Sequence, residues 1–166
     1  AELCLARGQN DAAVRWLEQR LELTPEENRP ARRKTLLGLC TALRAAGEDE
    51  SARSYLTQAL TQDPAATELR SLLGELYRAR EEWELLAPLL SAGVEHAPDR
   101  ATEVLYLREA ARLRRDQLGQ LDEAIPLLQR AMQLEPGDRE LRVQLAHALR
   151  LQERYEIANG YHGDAI

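Results

Sequence analysis

The chain has 166 residues, 44% of them apolar and 30% charged, enough apolar content for a core and too much for a disordered tail. Aromatic residues make up only 4%, with no Phe, while Leu, Ala, Arg and Glu dominate, a helix-forming composition. A net charge of −6 and an isoelectric point near 5.2 argue against a general polyphosphate binder, and no apolar run approaches the ~18 to 20 residues that a membrane span needs.

Two cysteines, Cys4 and Cys40, are too few for a disulfide framework, and both fall on apolar helix faces where small buried side chains belong. In chain order, the first expected element is a short helix from Glu2 to Arg7, followed by a turn over Gly8 to Asp11. A helix from about Asp11 to Leu23 then carries Ala13, Trp16, Leu17 and Leu21 on or near one face, and Thr24-Pro25 closes it. Pro30 reads as the first residue of the next helix, since its missing N–H costs nothing in a first turn, with Asn28 or Arg29 just outside. Leu36, Leu39, Cys40 and Leu43 keep the helical period to Ala46, and Gly47 breaks it. Asp49 or Glu50 starts a partner helix with Ala52, Tyr55, Leu56, Ala59 and Leu60 inward, ended by Asp63-Pro64.

The centre of the chain, Glu68 to Pro98, reads as two helices. The first has Leu69, Leu72, Leu73 and Leu76 on one face, with Gly74 and Tyr77 completing an L-G-x-x-Y group. The second has Leu85, Leu86, Leu89 and Leu90. A longer helix follows from about Ala101 to Leu118, stopped by Gly119, and its partner from Asp122 to Leu134 turns Ala124, Leu128 and Ala131 inward before Glu135-Pro136. Pro88 and Pro126 fall early in their helices and at the same place in the pattern. Asp138 caps a helix running to about Leu151 through Leu141, Leu145 and Leu149. A further helix starts near Arg154 and is interrupted by Asn159-Gly160 and Gly163.

Four prolines, Pro25, Pro64, Pro98 and Pro136, mark steps of 39, 34 and 38 residues, so longer and shorter units alternate. A helix pair per step with Leu73-Gly74 and Tyr77, and with Ala13/Leu17, Ala52/Leu56 and Ala124/Leu128 each behind a turn glycine (Gly8, Gly47, Gly119), resembles the tetratricopeptide repeat. Arg70 stands where that family has Trp, and the central unit carries Leu86 and Leu90 in place of the Ala and its partner. The resemblance implies an all-α, right-handed α-solenoid of antiparallel helix pairs over residues 1–158, with the first and last of four to five motifs incomplete. Residues 159–166 are then a tail or an incomplete last helix. The half-motif at the start is expected to be cut from a larger array.

Chemistry-bearing patterns are absent: there is no G-x-S-x-G, H-E-x-x-H or G-x-x-x-x-G-K, and His96, His147 and His162 lack metal-ligand spacing. The sequence therefore reads as a binding protein without enzymatic activity, cofactor or metal. Two cationic clusters, Arg29/Arg32/Arg33/Lys34 and Arg112/Arg114/Arg115, read as solvated helix surface paired with carboxylates such as Glu26, Glu27 and Asp116, with a docking strip for an acidic partner segment as the alternative. No aromatics interleave with them, which disfavours nucleic acid. Trp16, Trp83, Tyr55 and Tyr77 sit at helical spacing beside Leu and are expected to pack in or between repeats.

In the resembled family the first helix of each pair lines a concave groove. Here the resemblance places Thr41, Arg44, Glu68, Ser71, Glu75, Arg78, Glu109, Leu113, Asp116, Gln144 and His147 at groove-facing positions. It implies a protein–protein interaction scaffold that holds a peptide or a partner helix. The alternatives are a substrate-selecting segment of a larger enzyme and a self-associating array stacked through repeat ends. The Lys and Asn clamp with which some members hold acidic chaperone tails is replaced by Leu37, Thr41, Ser71 and Glu75, so no such tail binding is expected. The Arg- and Leu-rich, Lys-poor composition, in which Lys34 is the only lysine, points to a bacterial origin, and a cytoplasmic location is the favoured expectation.

Overall fold

The structure is a computed structural model that describes residues 10–163, with side chains over residues 10–154. The expected helix at Glu2 to Arg7, with Cys4, lies outside the described residues, as do the last three residues of the expected tail. The described chain is eight α-helices and no strand: α1 (Asn10–Leu23), α2 (Arg29–Ala45), α3 (Asp49–Gln62), α4 (Thr67–Ala79), α5 (Trp83–Glu95), α6 (Arg100–Asp116), α7 (Leu121–Leu134) and α8 (Arg139–Gly163). The elements fall into two compact units that part within the central turn, Ala1–Glu81 and Glu82–Ile166.

Within each unit, successive helices joined by short loops pack on one another as antiparallel neighbours. The odd-numbered helices are the second members of pairs and the even-numbered ones the first members. In the first unit the core runs from Ala13 and Leu17 of α1 through Leu39, Cys40 and Leu43 of α2 to Ala52 and Leu56 of α3. Leu69, Leu73 and Leu76 of α4 complete it. In the second unit Leu86 and Leu90 of α5, Leu107, Ala110 and Ala111 of α6, and Ala124, Leu128 and Ala131 of α7 are buried, with Leu141 and Ala148 of α8. The expected alanines Ala13, Ala52 and Ala124 are all fully buried, as small residues must be where two helix backbones approach to ~8 to 10 Å. Gly93 of α5 serves the same end, since a Cβ there would sit 3.0 Å from ring atoms of Tyr106 on α6.

Three first-helix starts, those of α2, α6 and α8, are capped by side chains that accept the orphan N–H groups of a first turn. Asn28 Oδ1 accepts from Ala31 N at 3.3 Å ahead of Pro30, Asp99 Oδ1 from Thr102 N at 2.7 Å, and Asp138 Oδ1 from Glu140 N and Leu141 N at 2.8 and 3.1 Å. The pair turns need a left-handed residue. Gly47 (φ 80°) and Gly119 (φ 65°) supply it five residues before Ala52 and Ala124. Five residues before Leu86 the same conformation is held by Glu81 (φ 56°), so the central turn keeps the backbone shape without the glycine.

Four expectations need correction. Trp16 is 46% exposed on α1, with the Arg20 guanidinium 5.2 Å from its ring centre, and is not core. Leu149 is exposed, and Ala148 beside it takes the buried position. No break separates Leu151 from Arg154, because Gln152 and Glu153 are good helix formers and carry no stop signal, so α8 runs on to Gly163. Pro88 and Pro126 are each the sixth residue of their helix, past the first turn, and each removes one backbone bond, to the carbonyls of Glu84 and Asp122.

Candidate functional site

Each unit has a cleft beside the N-terminal half of its 17-residue first helix. The cleft of the first unit, about 430 Å³, has a floor of Leu36, Ala59 and Leu69 and a rim that includes Arg29, Arg32 and Asp63. That of the second unit, about 360 Å³, has Ala101, Val104 and Leu105 along α6, with Arg112 on the same helix and Gln144 across on α8. Both are therefore built from the same three parts: a long first helix, the end of its partner, and the start of the next first helix.

An arginine on the long helix bridges to the start of the next first helix in both units. Arg33 binds Asp63 at 2.5 Å and Glu68 at 3.6 Å, and Arg108 binds Asp138 at 3.0 Å and Glu140 at 2.8 Å. The Asp63 carboxylate accepts a hydrogen bond from Arg33 and so holds that guanidinium more firmly in its charged form. Arg32 is spent otherwise, donating to the backbone carbonyls of Thr24 at 2.8 Å and Leu21 at 3.3 Å. Arg114 pairs with Glu123 at 2.9 Å. Most of the clustered arginines are therefore paired: Arg115, and Arg112 more loosely at 4.0 Å, with Asp116 as expected, and Arg32, Arg33 and Arg114 with carbonyls and carboxylates elsewhere in the chain rather than with Glu26 and Glu27.

Of the residues expected to face a groove, Thr41, Ser71 and Glu68 are exposed on α2 and α4, and Arg78 is half-buried. The structure brings Arg44 and Glu75 together, Nη1 to Oε2 at 2.9 Å, linking the C-terminal halves of α2 and α4. In the second unit Glu109 and Gln144 line the cleft, and Asp116 is held by Arg115 at 2.6 Å. That bond keeps the Asp116 carboxyl below its ordinary range, with smaller contributions from Arg112 and His147, which is exposed on α8.

Leu113 is the exception, 6% exposed and part of the core. Counted from the turn glycines, 47 and 119, it matches Thr41, a step of 72. The helices themselves, Arg29–Ala45 and Arg100–Asp116, match at a step of 71, because the turn before Gly119 holds one more residue. The position matching exposed Thr41 is Arg112, and Leu113 matches buried Ala42. Arg112, expected on the solvated surface but not among the groove-facing positions, and Leu105 are exposed residues of α6 at this cleft.

Among the described residues, no group of three His, Cys, Asp or Glu is placed to hold a metal ion, and no helix is long and apolar enough to cross a membrane. Cys40 is buried with its thiol toward the Ala52 carbonyl at 3.7 Å, and burial pushes its pKa up to about 12. The thiol is thus a packing group and not a nucleophile.

Two tetratricopeptide repeat family models match the chain, over residues 1–31 and 117–158. The chain carries tetratricopeptide repeats. Solved structures agree in fold. A Podosopora anserina kinesin-light-chain-like array of nearly identical TPR-like repeats is 21% identical, with a TM-score of 0.60 over 96% of this chain and 86% of that one. The MamA RS-1 ArsTM double mutant is 20% identical (TM-score 0.58, 98% and 86% covered), and MamA AMB-1 is 23% identical (0.53, 98% and 90%). No curated protein sequence matches the chain. Set against the tetratricopeptide pattern, Arg70 at the Trp position is 3% exposed, and its Nη2 donates to the Pro64 carbonyl at 2.6 Å, where Trp would fill space alone. Its counterpart Arg142 donates to the Pro136 carbonyl at 3.2 Å from an exposed position.

Proposed function

We propose that this chain is a protein–protein interaction scaffold whose first-helix surfaces hold a peptide or partner helix, and that it acts by binding rather than by catalysis. The observation that carries the reading is the recurrence of one surface in both units. Each has an apolar-floored cleft beside a long first helix, rimmed by side chains already fixed in place by ion pairs such as Arg33–Asp63 and Arg108–Glu140. Side chains ordered before binding cost little entropy when a partner arrives, which favours several weak contacts along an extended ligand. The mixed charge of the rims and the overall charge of −6 favour a protein partner over nucleic acid.

The test is a titration of the partner captured by the intact protein. Thr41→Arg and Ser71→Arg on the first helices should weaken binding at least tenfold, and Arg15→Glu and Gln58→Arg on exposed second-helix positions should leave it within twofold. The opposite pattern would place the partner on the second helices and overturn the proposal.

A further inference from the structure

The two clefts occupy matching places but differ in chemistry. At the step of 71 between the long helices, Leu105 of the second unit matches exposed Lys34 of the first, and at the step of 72 between the following first helices Val143 matches exposed Ser71. Leu105 is 57% exposed and Val143 62%, and they are the large apolar side chains most open to solvent on the first helices. Ala101, Leu105, Arg108 and Arg112 share one face of α6 at spacings of four, three and four residues, and Glu140, Val143 and Gln144 share one face of α8. Along that stripe Arg108 is occupied by Asp138 and Glu140. Arg112 is not held in the same way. Its side chain is 81% exposed, it reaches Asp116 only at 4.0 Å, and both Asp116 oxygens already accept from Arg115 at 2.6 and 3.0 Å.

We propose that the second unit reads a partner segment carrying an aliphatic side chain and a carboxylate three residues apart in polyproline II conformation, the first lying on Leu105 and Val143 and the second meeting Arg112. The spacing follows from geometry. Leu105 and Arg112 are seven residues apart on one helix, about 10.5 Å at a rise of about 1.5 Å per residue, and three residues of polyproline II chain span about 9 Å and bring the side chain back to the same side. The charge complementarity rests on Arg112, whose guanidinium is always charged and open to solvent. The first unit, with Lys34 and Ser71 at the matching places, lacks the apolar half of this site. The inference rests on the interaction-scaffold reading above and specifies the ligand for one of its surfaces.

The experiment is selection of a random nonapeptide phage library on the intact chain, followed by titration of the best synthetic peptide against surface variants. The expected result is enrichment of an aliphatic and an acidic residue at a spacing of three, in one of the two orders. Arg112→Glu and Leu105→Lys should each weaken the selected peptide at least tenfold, with Lys34→Ala and Gln58→Ala within twofold. Changing the peptide's acid to its amide should lose the same amount on wild type and nothing further on Arg112→Glu. Enriched peptides without this pair, or unaffected by Arg112→Glu, overturn the inference and leave the scaffold reading standing. Failure to enrich any peptide also overturns the inference, while the scaffold reading stands or falls on the titration of its captured partner.

Discussion

Arg70 Nη2 donates to the Pro64 carbonyl oxygen at 2.6 Å, so a charged side chain in the first-helix core ties α4 to the corner from which it starts. At 3% exposure the guanidinium has given up most of its water, and removing it leaves a corner carbonyl and a cavity uncompensated. Arg70→Ala should cost roughly 1.5 to 3 kcal/mol in urea unfolding. Arg142→Ala, at the exposed counterpart, should stay within about 0.5 kcal/mol. Equal effects would show that the burial of Arg70 carries no weight.

Glu81 holds the left-handed conformation that Gly47 and Gly119 hold in the other pair turns. A non-glycine residue there costs about 1 to 2 kcal/mol, partly offset because glycine has more freedom to lose on folding. Glu81→Gly should therefore stabilise the chain by about 0.5 to 1 kcal/mol, and Gly47→Ala should destabilise it by a similar amount although nothing lies within 4 Å of the new Cβ. Thermal unfolding of both variants separates backbone strain from crowding.

Ala52 and Ala124 are fully buried between paired helices. Ala52→Trp or Ala124→Trp should overpack the pair and cost about 1 to 3 kcal/mol or more. Unchanged melting of both variants would falsify the pairing.

Burial raises the Cys40 pKa from its ordinary 9.0 to about 12. The native thiol should resist iodoacetamide at pH 8 and react once urea unfolds the chain, with peptide mass mapping separating Cys40 from Cys4. The sign for stability follows, because the unfolded thiol ionises first. The contribution is complete below about 9 and is lost as pH rises toward 12.

At the acid end, backbone N–H groups hold the cap carboxyls of Asp99 and Asp138 below their ordinary 3.8, so their contribution is complete above that value and is lost as pH falls below it. Asn keeps the capping acceptor but cannot titrate. The Asp99→Asn, Asp138→Asn double variant should be less stable than wild type near pH 7, and the gap should close below pH 3. Urea melts across that range decide it, and a gap independent of pH would contradict the assignment.

Much of the fold was legible in the sequence because its punctuation is chemical. Pro30 behind Asn28, Asp138, Gly47 and Gly119 each mark a helix start or a turn where their backbone chemistry requires it. The site was less legible for two reasons. One extra residue before Gly119 shifts the α6 surface by a position, burying Leu113 and exposing Arg112, and a turn that absorbs an insertion leaves no trace in hydrophobic period. The arginines also choose partners about thirty residues away, Asp63 for Arg33 and Asp138 for Arg108, through helix packing that local spacing does not encode. Trp16 misled because an amphipathic stripe marks a face without saying how much of it is covered.

The contact between Gly93 and the Tyr106 ring binds two positions to a common history. With three ring atoms at 3.0 Å from where a methyl would stand, a mutation at 93 demands room that only a smaller or tilted residue at 106 can give. Lineages that gain a side chain at the first site should have trimmed the second beforehand, so the two ought to drift as a couple rather than singly.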